Sequence, residues 1–180
     1  MPRSNPRLPV HRSRVVRAAE LSPAEREALT RDAVAIVAQT FDHVDPDLFA
    51  RSALFRAPDV RIALFYGASG ELAGFSPASV MRIESGGVEH HVFDAGVYFD
   101  LRYDGGREAT RFGLLEALRV RLMRPRCRLW FISEATSPAP YCLAARTVKE
   151  IHPHPARETP AEITALVQAF AERRGLRPVG

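Results

Sequence analysis

Residues His91 to Met123 pass through three periodicities in one short span, and few arrangements of backbone accommodate all three. From His91 to Leu101 the residues alternate. His91, Phe93, Ala95, Val97, Phe99 and Leu101 share one side, while Val92, Asp94, Gly96, Tyr98 and Asp100 share the other, the period of a strand with one apolar face. Beyond this the spacing becomes helical: Phe112, Leu115, Leu118 and Leu122 form one face, with Ala109, Leu114 and Met123 beside them. Asp104-Gly105-Gly106 lies between the two patterns. Asp-Gly and Gly-Gly are hairpin signals, but a hairpin needs a second strand, and helical spacing follows here. The stretch therefore reads as strand, glycine turn and helix. Such a turn leaves the first N–H groups of the helix unpartnered at the positive end of its dipole, where it either binds an anion or merely joins two packed elements.

The rest of the chain arranges itself before and after this unit. Arg14 to Ala19 is a short first strand. Ser22-Pro23-Ala24-Glu25 announces a helix, with Ser22 as N-cap, Pro23 at its first position and Glu25 reaching back in a capping box. Leu29, Ala33, Ile36, Val37, Thr40 and Phe41 form its apolar face, Asp42 to Pro46 end it, and Asp47 to Phe55 form a shorter second helix. Arg61 to Tyr66 and Glu71 to Glu84 read as a hairpin closed by Gly67-Ala68-Ser69-Gly70. Gly74 and Pro77 interrupt its second strand, so a bulge or an edge position is expected. Ser85-Gly86-Gly87 then turns the chain into the strand at His91. After the long helix, Arg124-Pro125-Arg126 stops it, and the apolar run Arg128 to Ser133 suggests a central strand covered on both faces. A helix starts at Ser137-Pro138-Ala139-Pro140. A second capping box at Thr159-Pro160-Ala161-Glu162 opens a last helix with Ile163, Leu166, Val167 and Phe170 on its apolar face.

One domain is expected for 180 residues, with about 70% of the unfolded chain's surface buried. With 46% hydrophobic and 26% charged residues the composition is globular. No stretch approaches the roughly 18 to 20 apolar residues of a membrane span, and MPRSNPRLPVHRSR lacks the apolar core of a secretory signal. A cytoplasmic chain with no membrane partner is the expectation. Cys127 and Cys142 are expected as thiols. The formal charge of +4 is scattered, with no basic patch interleaved with aromatics, so no nucleic-acid partner is expected. Lys149 is the only lysine, a bias that fits a GC-rich bacterial genome.

Arg102-Tyr103-Asp104-Gly105-Gly106-Arg107 resembles the Gln/Arg-x-x-Gly-x-Gly/Ala signature of the GNAT N-acetyltransferase superfamily, which ends that family's fourth strand and opens its third helix. Arg102 and Gly105 match the first and fourth positions, while Arg107 stands where the family has a small residue. The element order extends the resemblance over roughly residues 13 to 148. It implies a mixed α/β (α+β) fold with a central, mostly antiparallel sheet flanked by helices, here with an extra C-terminal helix. The expected divisions are a flexible basic leader at 1–12, a GNAT-like acyltransferase domain at 13–157 and a helical extension at 158–180.

The resemblance also implies acetyl-CoA as co-substrate, without a metal, held by Arg102, Tyr103, Asp104, Gly105, Gly106 and Arg107, and a small-molecule or peptide amine as acceptor. Transfer to an amine needs a base, donors for the thioester carbonyl and an acid for the thiolate. In many members the base lies about eleven residues before the signature, which here is near His91, with Glu89 and His90 adjacent. The acid is a tyrosine in the helix after the fifth strand. Ala144 or Ala145 holds that place, with Tyr141 about one turn early. Asp94 and Asp100 lie on the parity opposite His91: facing a helix they need partners, and facing a cleft they could hold a cationic substrate. His90, His91, His152 and His154 lack the tight local spacing of a zinc site. The alternative reading is a non-catalytic module of the same fold, with the C-terminal helix serving a partner or a second subunit in a homodimer.

Overall fold

The structure is a computed structural model and describes residues 7–132, 141, 142, 145, 148 and 150–175. The strands are β1 (Leu8–Pro9), β2 (Arg12–Arg17), β3 (Arg61–Tyr66), β4 (Leu72–Ser85), β5 (Val88–Ala95), β6 (Tyr98–Phe99), β7 (Tyr103–Asp104) and β8 (Leu129–Ile132). The helices are α1 (Pro23–Val37), α2 (Pro46–Phe49), α3 (Gly106–Met123) and α4 (Ala161–Arg174). The main sheet has the order β2-β3-β4-β5-β8, with β6 continuing alongside β4. Every neighbouring pair is antiparallel except β5 and β8, which run parallel. This is the mixed, mostly antiparallel architecture expected, in the expected element order.

One face of the sheet carries α1, whose Leu29, Ala33, Ile36 and Val37 pack on Ile62, Leu64 and Phe75. The same face carries α4, whose Leu166 and Phe170 meet Met81, Ile83 and Val92. The opposite face carries α3, through Ala109 and Phe112 against Phe65, Ala78 and Phe93. The Ser22 capping box is present: its hydroxyl accepts from Glu25 N–H, and Glu25 accepts from Ser22 N–H at 2.8 Å. Gly86 and Gly87 turn β4 into β5 with φ of +60° and +74°, a conformation a side chain resists.

Several expectations are corrected. The long helix does not bury Leu115, Leu118 and Leu122. Its inner face is Ala109, Phe112 and Glu116, because Arg61 of β3 meets Glu116 at 2.8 Å and Arg119 holds the same carboxylate at 3.2 Å. Two arginines offset the cost of burying the Glu116 carboxylate, and the leucines are left outside. β8 is an edge strand among the described residues and Phe131 is 65% exposed, so it is not covered on both faces. For β4 the first of the two expected alternatives holds: the strand is central, and its register shifts at a bulge opposite Phe65 and Tyr66. The second helix is the short α2, capped by Asp45, followed by a π-helical turn at Ala50–Leu54. α4 has Pro160 as N-cap and no capping side chain, so the second capping box is absent. Leu8 N–H donates to Arg102 O at 2.8 Å, which ties the leader to the turn before α3. The helix start at Ser137–Pro140, Ala144 and the ends of the chain lie outside the described residues.

Candidate functional site

The alternation from His91 to Leu101 predicts one unbroken strand, but the structure breaks it at Gly96 and Val97. The cause is Pro77 on the facing strand. Ala78–Ala95 and Phe75–Tyr98 share one antiparallel register, yet proline has no N–H to give to Gly96 O. Ser76 Oγ donates to that carbonyl instead, at 2.7 Å, while Gly96 N–H still donates to Pro77 O at 3.0 Å. The strand thus keeps its course along β4 through an interruption. On its other edge, the last described pair with β8 is Asp94 and Ile132.

At that point lies a cleft of about 760 Å³. One wall is α3, which turns Gly106, Ala109, Thr110, Gly113 and Ala117 toward it, mostly small residues that leave room beside the helix, with Leu114 at its margin. Phe93 to Phe99 form the floor, Leu129 and Phe131 of β8 the opposite wall, and Ile36, Val37, Thr40 and Phe41 at the end of α1 close the far side. Because α1 and α3 lie on opposite faces, the cleft reaches across the sheet.

The far end holds a buried ion cluster. Asp94 Oδ2 lies 2.8 Å from Arg56 Nε as an ion pair and accepts from Arg174 Nη1, while Arg56 Nε donates to Ser79 Oγ at 3.1 Å and Arg56 Nη2 to Asp94 O at 2.8 Å. Burial pushes the Arg56 guanidinium below its ordinary value, and the Asp94 carboxylate opposes this. Arg56 follows the π-helical turn and Arg174 ends α4, so three distant segments build this end. The sequence reading noted Asp94, but missed Arg56 and Arg174. Neither arginine has a distinctive local signal, and only the tertiary path brings them together.

The other end is the start of α3. Arg102 is exposed and committed: its Nε and Nη2 donate to Asp100 Oδ1 and Oδ2, both at 2.9 Å, and Gln39 Nε2 adds a bond to the same carboxylate at 3.0 Å. The Arg102 guanidinium, above all, holds the Asp100 carboxyl well below the usual carboxylate range. Tyr103 is buried and its hydroxyl donates to Glu71, a bond that raises its pKa. Tyr103 N–H donates to Asp100 O at 2.9 Å. Gly105, the N-cap, has φ −126° and is glycine because a methyl group there would overlap the Phe99 ring. Gly106 differs: an added Cβ would meet only Asp104 Oδ1, at 3.9 Å. No side chain caps α3, and Ala109 N–H is the first to bond back, to Gly105 O at 3.0 Å. Arg107 is exposed without an ion-pair partner among the described residues.

The candidate base and acid stand apart from this cleft. His91 is mostly buried on β5 with Glu89 Oε1 at 3.7 Å from its Nε2, and Tyr141 donates its hydroxyl to Pro153 O at 2.8 Å. Among the described residues, the cleft lining includes none of the three.

No protein-family model matches the sequence, and no curated protein matches it. Solved structures do match. An aminoglycoside 6'-N-acetyltransferase from Acinetobacter baumannii is 14% identical, with 82% of this chain and 97% of that chain covered and a TM-score of 0.49. A glucosamine-6-phosphate N-acetyltransferase from Arabidopsis thaliana is 11% identical over 83% of this chain and all of that one, at TM-score 0.49. A putative acetyl transferase from Pyrococcus furiosus is 12% identical over 83% and 99% of the two chains, again at 0.49. The order of elements, the sheet with one parallel pair and the glycine turn before α3 are a mixed, mostly antiparallel α/β fold of the kind the GNAT resemblance implies.

Proposed function

We propose that the chain is an acyltransferase that takes acetyl-CoA and passes its acyl group to an amine. The observation that carries this reading is the first turn of α3, uncapped, bare at Gly106 and opening into the cleft. The residues fit the co-substrate. The N–H groups of Gly106, Arg107 and Glu108 would face its pyrophosphate, Arg107 supplies an exposed cation beside them, and the small-residue row along α3 leaves a channel for a slender arm. When bound, the thioester supplies the activated acyl group. Arg102 and Tyr103 then act by fixing the turn through Asp100 and Glu71, and Gly105 by seating Phe99. His91, paired with Glu89, enters as the candidate base and Tyr141 as the candidate acid. Each role requires the acceptor to approach them from the cleft.

Isothermal titration with acetyl-CoA and with free CoA tests the reading. Binding of both is expected, weakened by Arg107→Gly if the guanidinium pairs with phosphate and tightened if it obstructs the turn. No binding at millimolar ligand would remove the acyltransferase reading and leave the fold intact. A second reading, a binding module without turnover, is favoured by one observation: neither His91, Glu89 nor Tyr141 lines the cleft. CoA binding without acyl transfer to any amine, and no effect of His91→Ala, would select it.

A further inference from the structure

On the side of α3 turned away from the sheet Leu114, Leu115, Leu118 and Leu122 are each more than half exposed, Leu122 at 72%, with exposed Met123 at the helix end and Leu114 also bordering the cleft. Sequence spacing presents this row as a core face, and the structure turns it outward because Glu116 takes the inner position. Arg111 continues the row toward the start of the helix, and Arg121, Arg124 and Arg126 surround its other end, all exposed. Of the acids of α3, Glu116 is buried and paired, and half-buried Glu108 stands at the first turn in line with Leu115, so no acid interrupts the stretch from Leu114 to Met123 beyond the buried Glu116.

We infer that this face docks on the surface of an anionic lipid bilayer, leucines in the interface and arginines at the headgroups. Two observations select this occupant. A second copy of the chain would set arginines against arginines, whereas an anionic surface complements them. The strip from Leu114 to Met123 is about 14 Å long and about 10 Å wide, too small to supply the roughly 800 Å² that each partner gives a stable protein interface. Arginine side chains reach past neighbouring leucines to the headgroups, so the two residue types act together. Among the described residues no helix is long and apolar enough to cross a membrane, and docking of this kind requires none. The expectation of no membrane partner rested on spans alone. The inference is independent of the acyltransferase reading.

Co-sedimentation with phosphatidylcholine vesicles, with and without phosphatidylglycerol, tests it on the full chain. Binding is expected to the anionic vesicles only and should weaken as salt is raised. Leu118→Asp and Leu122→Asp should each lower partitioning by about tenfold or more, and Arg111→Glu should lower it too, with the unfolding midpoint held near that of the parent. No binding to anionic vesicles would overturn the inference, as would equal binding by Leu118→Asp. So would light scattering that shows a dimer which Leu118→Asp separates, since a second copy would then own the face.

Discussion

The two ends of the cleft differ in how their polar groups are used. At the far end Asp94, Arg56 and Arg174 bond to one another, and Arg56 is further held by Ser79 and the Asp94 carbonyl. At the near end α3 begins without a cap, with Gly106 open and Arg107 exposed. The start of α1 is closed by contrast: Ser22 and Glu25 bond reciprocally in a capping box, and Pro23 stands in the first turn. Polar groups bonded within the protein hold the fold, and polar groups left open toward a cleft are where a ligand gains affinity. Substitutions at the far end should therefore cost stability, and substitutions at the near end should cost binding.

The largest effect is expected at the clamp. Asp94→Ala leaves two buried guanidiniums without their shared carboxylate and should cost about 3 to 5 kcal/mol, read as a lower denaturant midpoint. A loss under about 1 kcal/mol would place the cluster among exposed ion pairs and end the contrast. Next come the paired glycines. Gly105→Ala forces a methyl into the Phe99 ring and should cost about 1 to 3 kcal/mol, whereas Gly106→Ala meets open space and should leave the midpoint nearly unchanged. Equal costs would mean that the turn is packed throughout and is a connector.

A smaller effect depends on pH. Asp100 has its carboxyl lowered chiefly by Arg102, so it contributes stability fully present above the unfolded carboxylate value near about 3.9 and lost as pH falls through the folded one. Arg102→Ala should lower the midpoint at neutral pH. The gap between variant and parent should close as pH falls below about 4, and a gap that persists in acid would show that Arg102 acts by packing and not by charge.

The fold was legible where local chemistry and pattern agree. Ser22 to Glu25, the double glycine at Gly86 and Gly87, and the change of period around Asp104 each determine their own surroundings, and the structure follows them. Where a residue's position depends on a distant partner, the pattern misled. Ala109 and Phe112 are read correctly, but nothing local shows that Arg61 waits on β3, so the apolar face is drawn through Leu115, Leu118 and Leu122 where the buried one passes through Glu116. Pro77 announces an irregularity but not that Ser76 repairs it and keeps the strand central. The near end of the cleft was legible because a turn is a local object. Arg56 and Arg174 were not, because their meeting with Asp94 is made by the path of the chain.

Titration of CoA into the parent, Gly106→Val and Gly113→Ala most directly tests the claim that the first turn of α3 is an anion site. Gly113 lies farther along the same wall, with nothing within 4 Å of an added Cβ, and alanine there should add up to about 1 kcal/mol of stability. The account predicts that the parent binds CoA, that Gly106→Val loses binding with little change in midpoint, and that Gly113→Ala, whose methyl group only narrows the channel farther along the wall, weakens binding much less than Gly106→Val. Equal loss of binding in both variants, or unchanged binding in Gly106→Val, would contradict it.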